Sequence, residues 1–401
     1  MRIIRTLEEL VTICDPTKVY DGYTLFAPHM STDLWLIDMK GRAVHHWTMP
    51  TALGSAVRLL PNGNHIRIHK YGDEPTAFLG TGGREIFEVD WEGKVVWKHE
   101  EQGMHHDFSR LPNGNTLLNL YIPVPKQVAA KVKGGIPGTE LKDGTWWGAG
   151  FREITPDGKT VWEWKGYEHM DPEIDFICPI CNRTIWGYVN GIDIFPNGDI
   201  VGSFRYENSL MIIDRKTGAI TWRWGRSELG HQHNPTVQKN GNILALDNGF
   251  HRYYPDELDP DHLTPGYSRA LEVNPKTNKI DWQYIAETPQ SFFSAICSSA
   301  ERLPNGNTFI CEATQGRLFE VTQAGEVVWE FTNPFFTYKK SMGLTNLVFR
   351  AYRYGVDFPA FKGKELDPER FELVLRDKQG AAPEESEAAK KLRTRLGHLG
   401  Y

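Results

Sequence analysis

Histidine, tyrosine and arginine recur at matching places along this chain, in short segments that also carry asparagine. Three segments hold candidate acids, bases and nucleophiles: His105-His106-Asp107, Trp186-Gly187-Tyr188-Val189-Asn190 and His231-Gln232-His233-Asn234. Three others end in arginine: Ser203-Phe204-Arg205, Asp247-Asn248-Gly249-Phe250-His251-Arg252 and Glu312-Ala313-Thr314-Gln315-Gly316-Arg317. Arginine binds sulfate, phosphate or carboxylate through its planar fork of donors, and histidine transfers protons or attacks as a nucleophile. The pattern predicts a pocket for a small anionic or aromatic substrate.

Each of these side chains has a predicted role in the pocket. His106 and His233 are assigned proton transfer or nucleophilic attack. Tyr188 is assigned general acid or base chemistry, provided that Arg205 or Arg252 lowers its pKa. The residues predicted to contact the substrate are Asn190, Arg205, His231, His251 and Arg317. The alternative for each is a capping role, in which the side chain only hydrogen-bonds the backbone of a neighbouring segment.

The pair Cys178 and Cys181 has the C-x-x-C spacing of a metal chelate. A structural zinc site needs four ligands, and the sequence has no second C-x-x-C. Four residues just upstream are candidates to complete the site: His169, Asp171, Glu173 and Asp175. We predict a divalent metal held by Cys178, Cys181 and His169, with two semi-buried loop thiols as the alternative.

Two alternating turn signatures indicate the elements that position these residues. The first is Pro-Asn-Gly-Asn or a close relative, at 61–64, 112–115, 196–199, 240–242 and 304–307. Asn-Gly supplies the positive φ angles of a tight hairpin. The second is a turn followed by a strand that ends in tryptophan, at Trp47, Trp97, Trp162, Trp222, Trp282 and Trp329. In all copies but the first, Gly or Asn stands four residues before the tryptophan, as a left-handed turn position requires.

Six copies of up to four short strands predict an all-β fold, a six-bladed β-propeller with a short helical C-terminal extension. The predicted blades are Tyr20–Trp47, Gly54–His99, His105–Trp164, Tyr188–Trp224, His231–Tyr284 and Phe292–Phe331. The first blade lacks a Pro-Asn-Gly-Asn turn, and the segment Leu347–Tyr354 is predicted to return and complete it. Residues 1–366 are predicted to form one domain, and 367–401 a charged helical tail.

Composition excludes several partners. The formal net charge of −6, with no basic run, argues against nucleic acid. The N-terminus carries acids where a signal peptide needs an apolar core, and no apolar run is long enough to span a membrane. Five unevenly spaced cysteines suit a reducing compartment, so a cytoplasmic protein is predicted. The oligomeric state is left open.

The chain resembles the arylsulfotransferase family of β-propeller enzymes. The resemblance runs from GYTLFAP through HHDFSRLPNGNTL, EHMDPEIDFICPIC, GHQHNPTVQKNGNILALDNG and LPNGNTFICEATQGRLFEV to VFRAYRY. It implies transfer of a sulfuryl group from an aryl sulfate, through a catalytic histidine, to a second phenol, with no nucleotide cofactor. It also implies that His233 is an active-site histidine and that Arg252 holds the sulfuryl oxygens.

Two departures from the family pattern leave the reaction open. Tyr188 stands where the family commonly has a histidine, and the usual nucleophilic histidine is absent where this chain has Gln315-Gly316-Arg317. The first hypothesis is therefore sulfuryl transfer with His233 or His106 as carrier. The second is a lyase, isomerase or hydrolase that uses histidine and tyrosine acid–base chemistry, with or without a metal. The third is a non-catalytic binding propeller.

Overall fold

Strands make up nearly all the regular structure of the chain. The computed structural model describes residues 10–69, 82–252, 266–339 and 343–371. In chain order the strands are β1 Val11–Cys14, β2 Gly22–Pro28, β3 Asp33–Ile37, β4 Ala43–Thr48, β5 Leu53–Leu59, β6 His65–His69, β7 Gly82–Val89, β8 Val95–Arg110, β9 Thr116–Pro123, β10 Gly134–Ile136, β11 Trp147–Ile154, β12 Thr160–Lys165, β13 Ile177–Asn182, β14 Ile185–Trp186, β15 Val189–Ile194, β16 Ile200–Phe204, β17 Ser209–Ile213, β18 Ile220–Trp224, β19 His233–Val237, β20 Ile243–Asp247, β21 Arg269–Asn274, β22 Lys279–Tyr284, β23 Ser299–Arg302, β24 Thr308–Glu312, β25 Arg317–Val321, β26 Val327–Thr332, β27 Thr337–Lys339, β28 Gly343–Thr345 and β29 Val348–Gly355. One helical turn, α1 (Lys126–Ala129), follows β9, and 3-10 turns occupy Gly166–Glu168, Pro289–Ser291, Ala313–Gln315, Pro359–Phe361 and Pro368–Phe371. None of the helices in these ranges has the length and apolar character that a membrane crossing requires.

Tight turns join strands where the Pro-Asn-Gly-Asn signature predicts them. In the first, Gly63 has a φ of 88°, and Leu60 donates its N–H to the carbonyl of Asn64 over 2.7 Å. The same closing bond joins Leu111 to Asn115, Phe195 to Asp199, Gln238 to Asn242 and Leu303 to Asn307. Glycine adopts this positive φ without steric cost, which confirms the predicted turns.

The strands pair into an all-β, propeller-like arrangement. Three sheets have four strands, in the orders β15-β16-β17-β18, β19-β20-β21-β22 and β29-β2-β3-β4, and a fourth has five, β1-β26-β25-β24-β23. A further sheet has eight strands, ordered β12-β11-β9-β8-β7-β6-β5 with β14 beside β11. The pairs β10–β13 and β27–β28 form small separate sheets. Pairing of β29 with β2 confirms that the predicted returning strand completes the first sheet.

Six separate blades are not found in the described ranges, which contain four blade-sized sheets and one double-length sheet. The second and third predicted blades are joined because β8 continues from one into the other. It pairs with β7 as far as His105 and with β9 from Met104 onward. The predicted helical tail, 367–401, lies mostly outside the described residues, and its described beginning, Pro368–Phe371, is a single 3-10 turn.

Five tryptophans donate their indole N–H to an oxygen on a turn that is distant in the chain. Four of them donate to a backbone carbonyl: Trp97 to Pro156 (2.7 Å), Trp162 to Arg215 (3.1 Å), Trp282 to Gln323 (2.9 Å) and Trp329 to Met39 (2.9 Å). The fifth, Trp222, donates to the side-chain Oδ1 of Asn278 (2.7 Å). The indole nitrogen of Trp47 has no such partner in the described part of the chain. Instead, Nε2 of His45 lies 3.0 Å from the carbonyl of Trp91. The atypical first copy thus makes the same connection with a different side chain.

A buried ion pair connects the inner strands. The carboxylate of Asp107 on β8 accepts from Arg350 on β29 over 2.7 Å and from Arg58 on β5 over 3.1 Å, and also from the N–H of Ile192 on β15 over 3.1 Å. Burial alone would raise the pKa of Asp107, but the two arginines and the hydrogen bonds outweigh this effect and lower the pKa below its usual value. One charged group therefore holds three inner strands around β8.

Substitution Asp107→Asn is expected to lower the free energy of unfolding by roughly 3–5 kcal/mol, because it leaves two guanidinium groups without their buried anion. Urea denaturation followed by tryptophan fluorescence measures the change. The control is Glu326→Gln, which removes an exposed ion pair with Lys18 and should leave the midpoint unchanged. Equal midpoints for wild-type protein and the Asp107 variant would contradict the structural role given to this carboxylate.

Candidate active site

Irregular strand pairing changes the direction of polar side chains on the inner strands. The register of β8 against β9 shifts just after Met104, that of β15 against β16 after Val189, and that of β19 against β20 after His233. His106, inside the first irregular stretch, has a φ of 54°. Bulged residues leave the hydrogen-bond ladder and their side chains change direction. The histidines and the segment after Tyr188 thus lie at equivalent irregular positions of neighbouring strands.

Tyr188 lies at the centre of an aromatic cluster. Its hydroxyl lies 3.4 Å from Nε2 of His106, and its ring stacks on Tyr206 with centroids 4.7 Å apart. The guanidinium of Arg205 lies 5.6 and 5.4 Å from the centroids of these two tyrosine rings. Among the described residues, that guanidinium has no acidic or hydrogen-bonding side-chain partner. An arginine held on aromatic faces keeps its N–H donors available for a ligand.

His233 is held in one tautomer by its neighbours. Nδ1 lies 2.7 Å from Oδ1 of Asn248 and 3.0 Å from the carbonyl of His231. The orientation of the Asn248 amide is fixed because its Nδ2 donates to the carbonyls of Ser294 and Cys297. Since both partners of Nδ1 are acceptors, Nδ1 carries the proton and Nε2 keeps a lone pair.

Burial keeps the histidines of this cluster neutral. The pKa of His233 is lowered well below its usual value, mainly by burial and secondly by the positive charge of Arg205. Burial, followed by the neighbouring His105, lowers the pKa of His106 in the same way. Burial also lowers the pKa of His105 to about 3. Neutral imidazoles are the form that accepts a proton or attacks an electrophile.

Two cysteines and two histidines converge beside Tyr206. Sγ of Cys181 lies 3.2 Å from Nε2 of His231. Nδ1 of His251 lies 3.5 Å from Sγ of Cys181 and 3.7 Å from that of Cys178. The four candidate ligand atoms all lie within 4.8 Å of one another. Thiolate sulfur and imidazole nitrogen are the usual ligands of structural zinc, so the donor set suits a metal.

The backbone around this cluster is constrained from several sides. Both cysteines lie on β13, and the N–H of Cys178 donates to the carbonyl of Tyr206 over 2.7 Å. His231 and His251 have φ angles of 55° and 61°. Such left-handed conformations cost roughly 1–2 kcal/mol for residues with a Cβ. Cys178, Tyr206 and His251 also border a cavity of about 640 Å³, which gives the cluster an opening to solvent.

His169 does not belong to the cysteine cluster, so that part of the predicted metal site is wrong. Its ring stacks on Trp164 with centroids 5.6 Å apart. The residues that do meet the cysteines are His231 and His251, which are separated from Cys181 by 50 and 70 positions in the chain. They are predicted substrate contacts, and nothing in their local sequence marks them as metal ligands.

Two of the predicted anion-binding arginines have acidic partners. Nη2 of Arg252 donates to Asp247 over 2.8 Å. Arg317 donates to Glu330 over 2.5 Å and to Glu312 over 3.3 Å. Their part in substrate binding stays a prediction. Arg205, which has no such partner in the described ranges, is the better placed of the three to meet a substrate anion.

Sequence reasoning missed two residues of this region. Tyr206 directly follows Arg205, and Asn248 stands inside a segment already selected for its arginine. Tyr206 is recognisable only from its stacking on the ring of Tyr188, and Asn248 only from its contact with Nδ1 of His233. Asn190, predicted as a substrate contact, is fully buried and donates its amide to the carbonyl of Gln232 over 2.8 Å.

The sheets and the site define an all-β, propeller-like protein with a polar and aromatic cluster built from its inner strands. Residues 11–350 match the model of the family described as Arylsulfotransferase (ASST). The chain belongs to this family.

Solved structures that resemble the chain are distant in sequence. A protein of unknown function from Bacteroides caccae has 13% identity and a TM-score of 0.51, with 83% of this chain and 98% of that chain covered. A streptogramin B lyase has 12% identity and a TM-score of 0.46, with coverages of 86% and 96%. A virginiamycin B lyase from Staphylococcus aureus has 11% identity and a TM-score of 0.36, with coverages of 87% and 89%. The likeness to the Bacteroides protein concerns the fold alone. Among curated proteins, none matches this sequence significantly.

Substitution Asn248→Ala is expected to let the proton of His233 move from Nδ1 to Nε2, because the nearer of the two acceptors at Nδ1 is removed. Long-range proton–nitrogen NMR spectra of the histidine rings measure the tautomer populations. Wild-type protein should show a protonated Nδ1 and a bare Nε2 at His233, and the variant a rise in the Nε2–H form. A wild-type spectrum with the proton on Nε2 would contradict the hydrogen-bond assignment.

Proposed function

We propose that this protein transfers a sulfuryl group from an aryl sulfate to a phenol, with Nε2 of His233 as the carrier. The observation that carries the proposal is the fixed tautomer of His233, whose Nδ1 faces two acceptors. Membership of the arylsulfotransferase family supports the reaction class. The rings of Tyr188 and Tyr206 offer aromatic faces to the aryl group, and Arg205 offers donors to the sulfate oxygens. No nucleotide is part of the proposed reaction.

The proposed reaction has two half-steps that use the same groups. In the first, the lone pair of Nε2 attacks sulfur, the bond from sulfur to the aryl oxygen breaks, and the leaving oxygen takes the hydroxyl proton of Tyr188. In the second, the oxygen of an acceptor phenol attacks sulfur and the N–S bond breaks, which returns the electron pair to Nε2. The acceptor's proton passes to the oxygen of Tyr188, so the enzyme returns to its starting state.

We also propose that the eight-stranded sheet acts as two blades that share β8, which gives six blades in a ring. Two sets of contacts support this count. The inner strands touch their neighbours in the closed order β5, β8, β15, β19, β23 and β29. The indole hydrogen bonds, together with that of His45, likewise connect each proposed blade to the next and the last to the first. The proposed domain is residues 1–366, with 367–401 as a tail.

A second candidate function is acid–base catalysis of an elimination, isomerisation or hydrolysis by Tyr188 and His106. The observation that favours it is the buried contact of 3.4 Å between the tyrosine hydroxyl and Nε2 of His106. This alternative needs no covalent intermediate on His233. The two candidates therefore differ in one measurable product, a sulfuryl group bound to the protein.

Mixing the protein with p-nitrophenyl sulfate in the absence of an acceptor is expected to release p-nitrophenolate and leave one sulfuryl group on His233. Intact-protein and peptide mass spectrometry locate the group. His233→Ala should abolish the adduct and lower turnover by at least about 100-fold, because the carrier is lost. His169→Ala, at a ring stacked on Trp164, is the matched control and should behave like wild type. Failure to form an adduct with a panel of aryl sulfates would exclude the proposal and leave the acid–base alternative.

Substitution Tyr188→Phe is expected to slow transfer from phenyl sulfate by about 100-fold and transfer from p-nitrophenyl sulfate much less. The reason is that p-nitrophenolate leaves without a proton, whereas phenolate needs one. Steady-state rates with both donors give the comparison, and Tyr167→Phe, on the Gly166–Glu168 turn, serves as control. An equal loss with both donors would mean that Tyr188 positions the substrate and does not transfer a proton.

A further inference from the structure

The cluster of Cys178, Cys181, His231 and His251 has sulfur–nitrogen separations that suit a tetrahedral metal centre. Zinc bonds of about 2.3 Å to sulfur and 2.0–2.1 Å to nitrogen give a sulfur–nitrogen edge of about 3.6 Å in a tetrahedron. The three recorded sulfur–nitrogen separations are 3.2, 3.5 and 3.7 Å. These three separations are thus close to the spacing that a bound zinc ion requires.

The backbone of the two histidines supports the same conclusion independently. His231 and His251 both adopt the left-handed conformation, which side chains with a Cβ rarely adopt. Such conformations persist where the surrounding structure fixes them, and they are frequent at functional sites. The N–H of His231 donates to Oδ1 of Asn208 over 3.0 Å, so its unusual backbone is hydrogen-bonded in place. The result is that the imidazoles point at the two thiols.

We propose that these four residues bind one Zn²⁺ ion in a closed, structural site. Cys178 and Cys181 would bind as thiolates, His231 through Nε2 and His251 through Nδ1. Binding releases the two thiol protons, while the neutral imidazoles contribute lone pairs. The two thiolate charges balance the two charges of the ion, so the site is neutral overall. With four protein ligands, no coordination position remains for a substrate.

The proposed metal centre also has a consequence for the neighbouring histidine. The carbonyl of His231 accepts from Nδ1 of His233 over 3.0 Å. A metal bound to the side chain of His231 fixes the backbone that presents this carbonyl. The ion would therefore position His233 without contacting the substrate, a role that rests on the proposed function. The ion would also attach β13, through its cysteines, to the segment that precedes β19.

Elemental analysis of the full-length protein, purified without chelator from zinc-supplemented cells, tests the site directly. We expect one zinc per chain in the wild type and almost none in Cys181→Ser. Cys311→Ser is the matched control, since Cys311 is also a buried thiol but contacts the carbonyl of Val348, and it should retain the metal. Replacement of zinc by Co²⁺ should give the absorption bands of a tetrahedral ion with two thiolate ligands.

A second variant covers the case in which Cys181→Ser fails to fold. His251 is partly exposed beside the cavity of about 640 Å³, so His251→Ala removes a ligand with less loss of packing. Its affinity for zinc in competition with a chromogenic chelator should fall more than about tenfold. Protein that contains no metal and takes up none on addition of Zn²⁺, or a disulfide between Cys178 and Cys181 in protein kept under reducing conditions, would overturn the proposal. Metal content is measured without any substrate, so this result is independent of whether sulfuryl transfer occurs.

Discussion

The carboxylate of Asp107 is the constraint on which the centre of this molecule depends. A charge removed from water is tolerated only when it is paired and hydrogen-bonded, and Asp107 meets this condition with groups from three other strands. Its neighbour in the chain is His106. The irregular stretch that turns the carboxylate toward Arg350 therefore also turns the imidazole toward Tyr188. Stability of the inner strands and placement of the site are consequences of the same local geometry.

The outer part of the structure could be predicted from sequence because its determinants are local. Asn-Gly turns require positive φ angles, and tryptophans that follow a turn at a fixed distance mark the outermost strands. The contact of Trp97 with Pro156 shows why the tryptophan recurs: five of the six indoles donate to an oxygen on a turn that is distant in the chain. Continuity of β8 could not be predicted in this way. The predicted boundary between the second and third blades falls in Glu100–Met104, yet β8 runs through it and Met104 pairs with both β7 and β9.

The site was predicted in part, and the failures have a common physical cause. Positions at the start of the predicted blades identified His106 and Tyr188, which the structure brings together. Choice of His169 as a metal ligand followed nearness in the chain, whereas the ligands that meet Cys181 are separated from it by 50 and 70 positions. Distance in sequence says little about distance in space when separate sheets converge on one region.

The arginines of this region differ in how their charges are paired. Asp107 is shared by Arg350 and Arg58, Asp247 is shared by Arg252 and Arg269, and Arg317 pairs with two glutamates. Within the described ranges Arg205 has no acidic partner, and the surrounding histidines are neutral because they are buried. In the proposed reaction, Arg205 pairs with the single negative charge of the sulfate monoester. An additional buried charge without a partner is costly, since desolvation is then not offset by attraction. The neutrality of the buried histidines preserves the lone pair on His233, and it leaves Arg205 as a cation beside the proposed substrate.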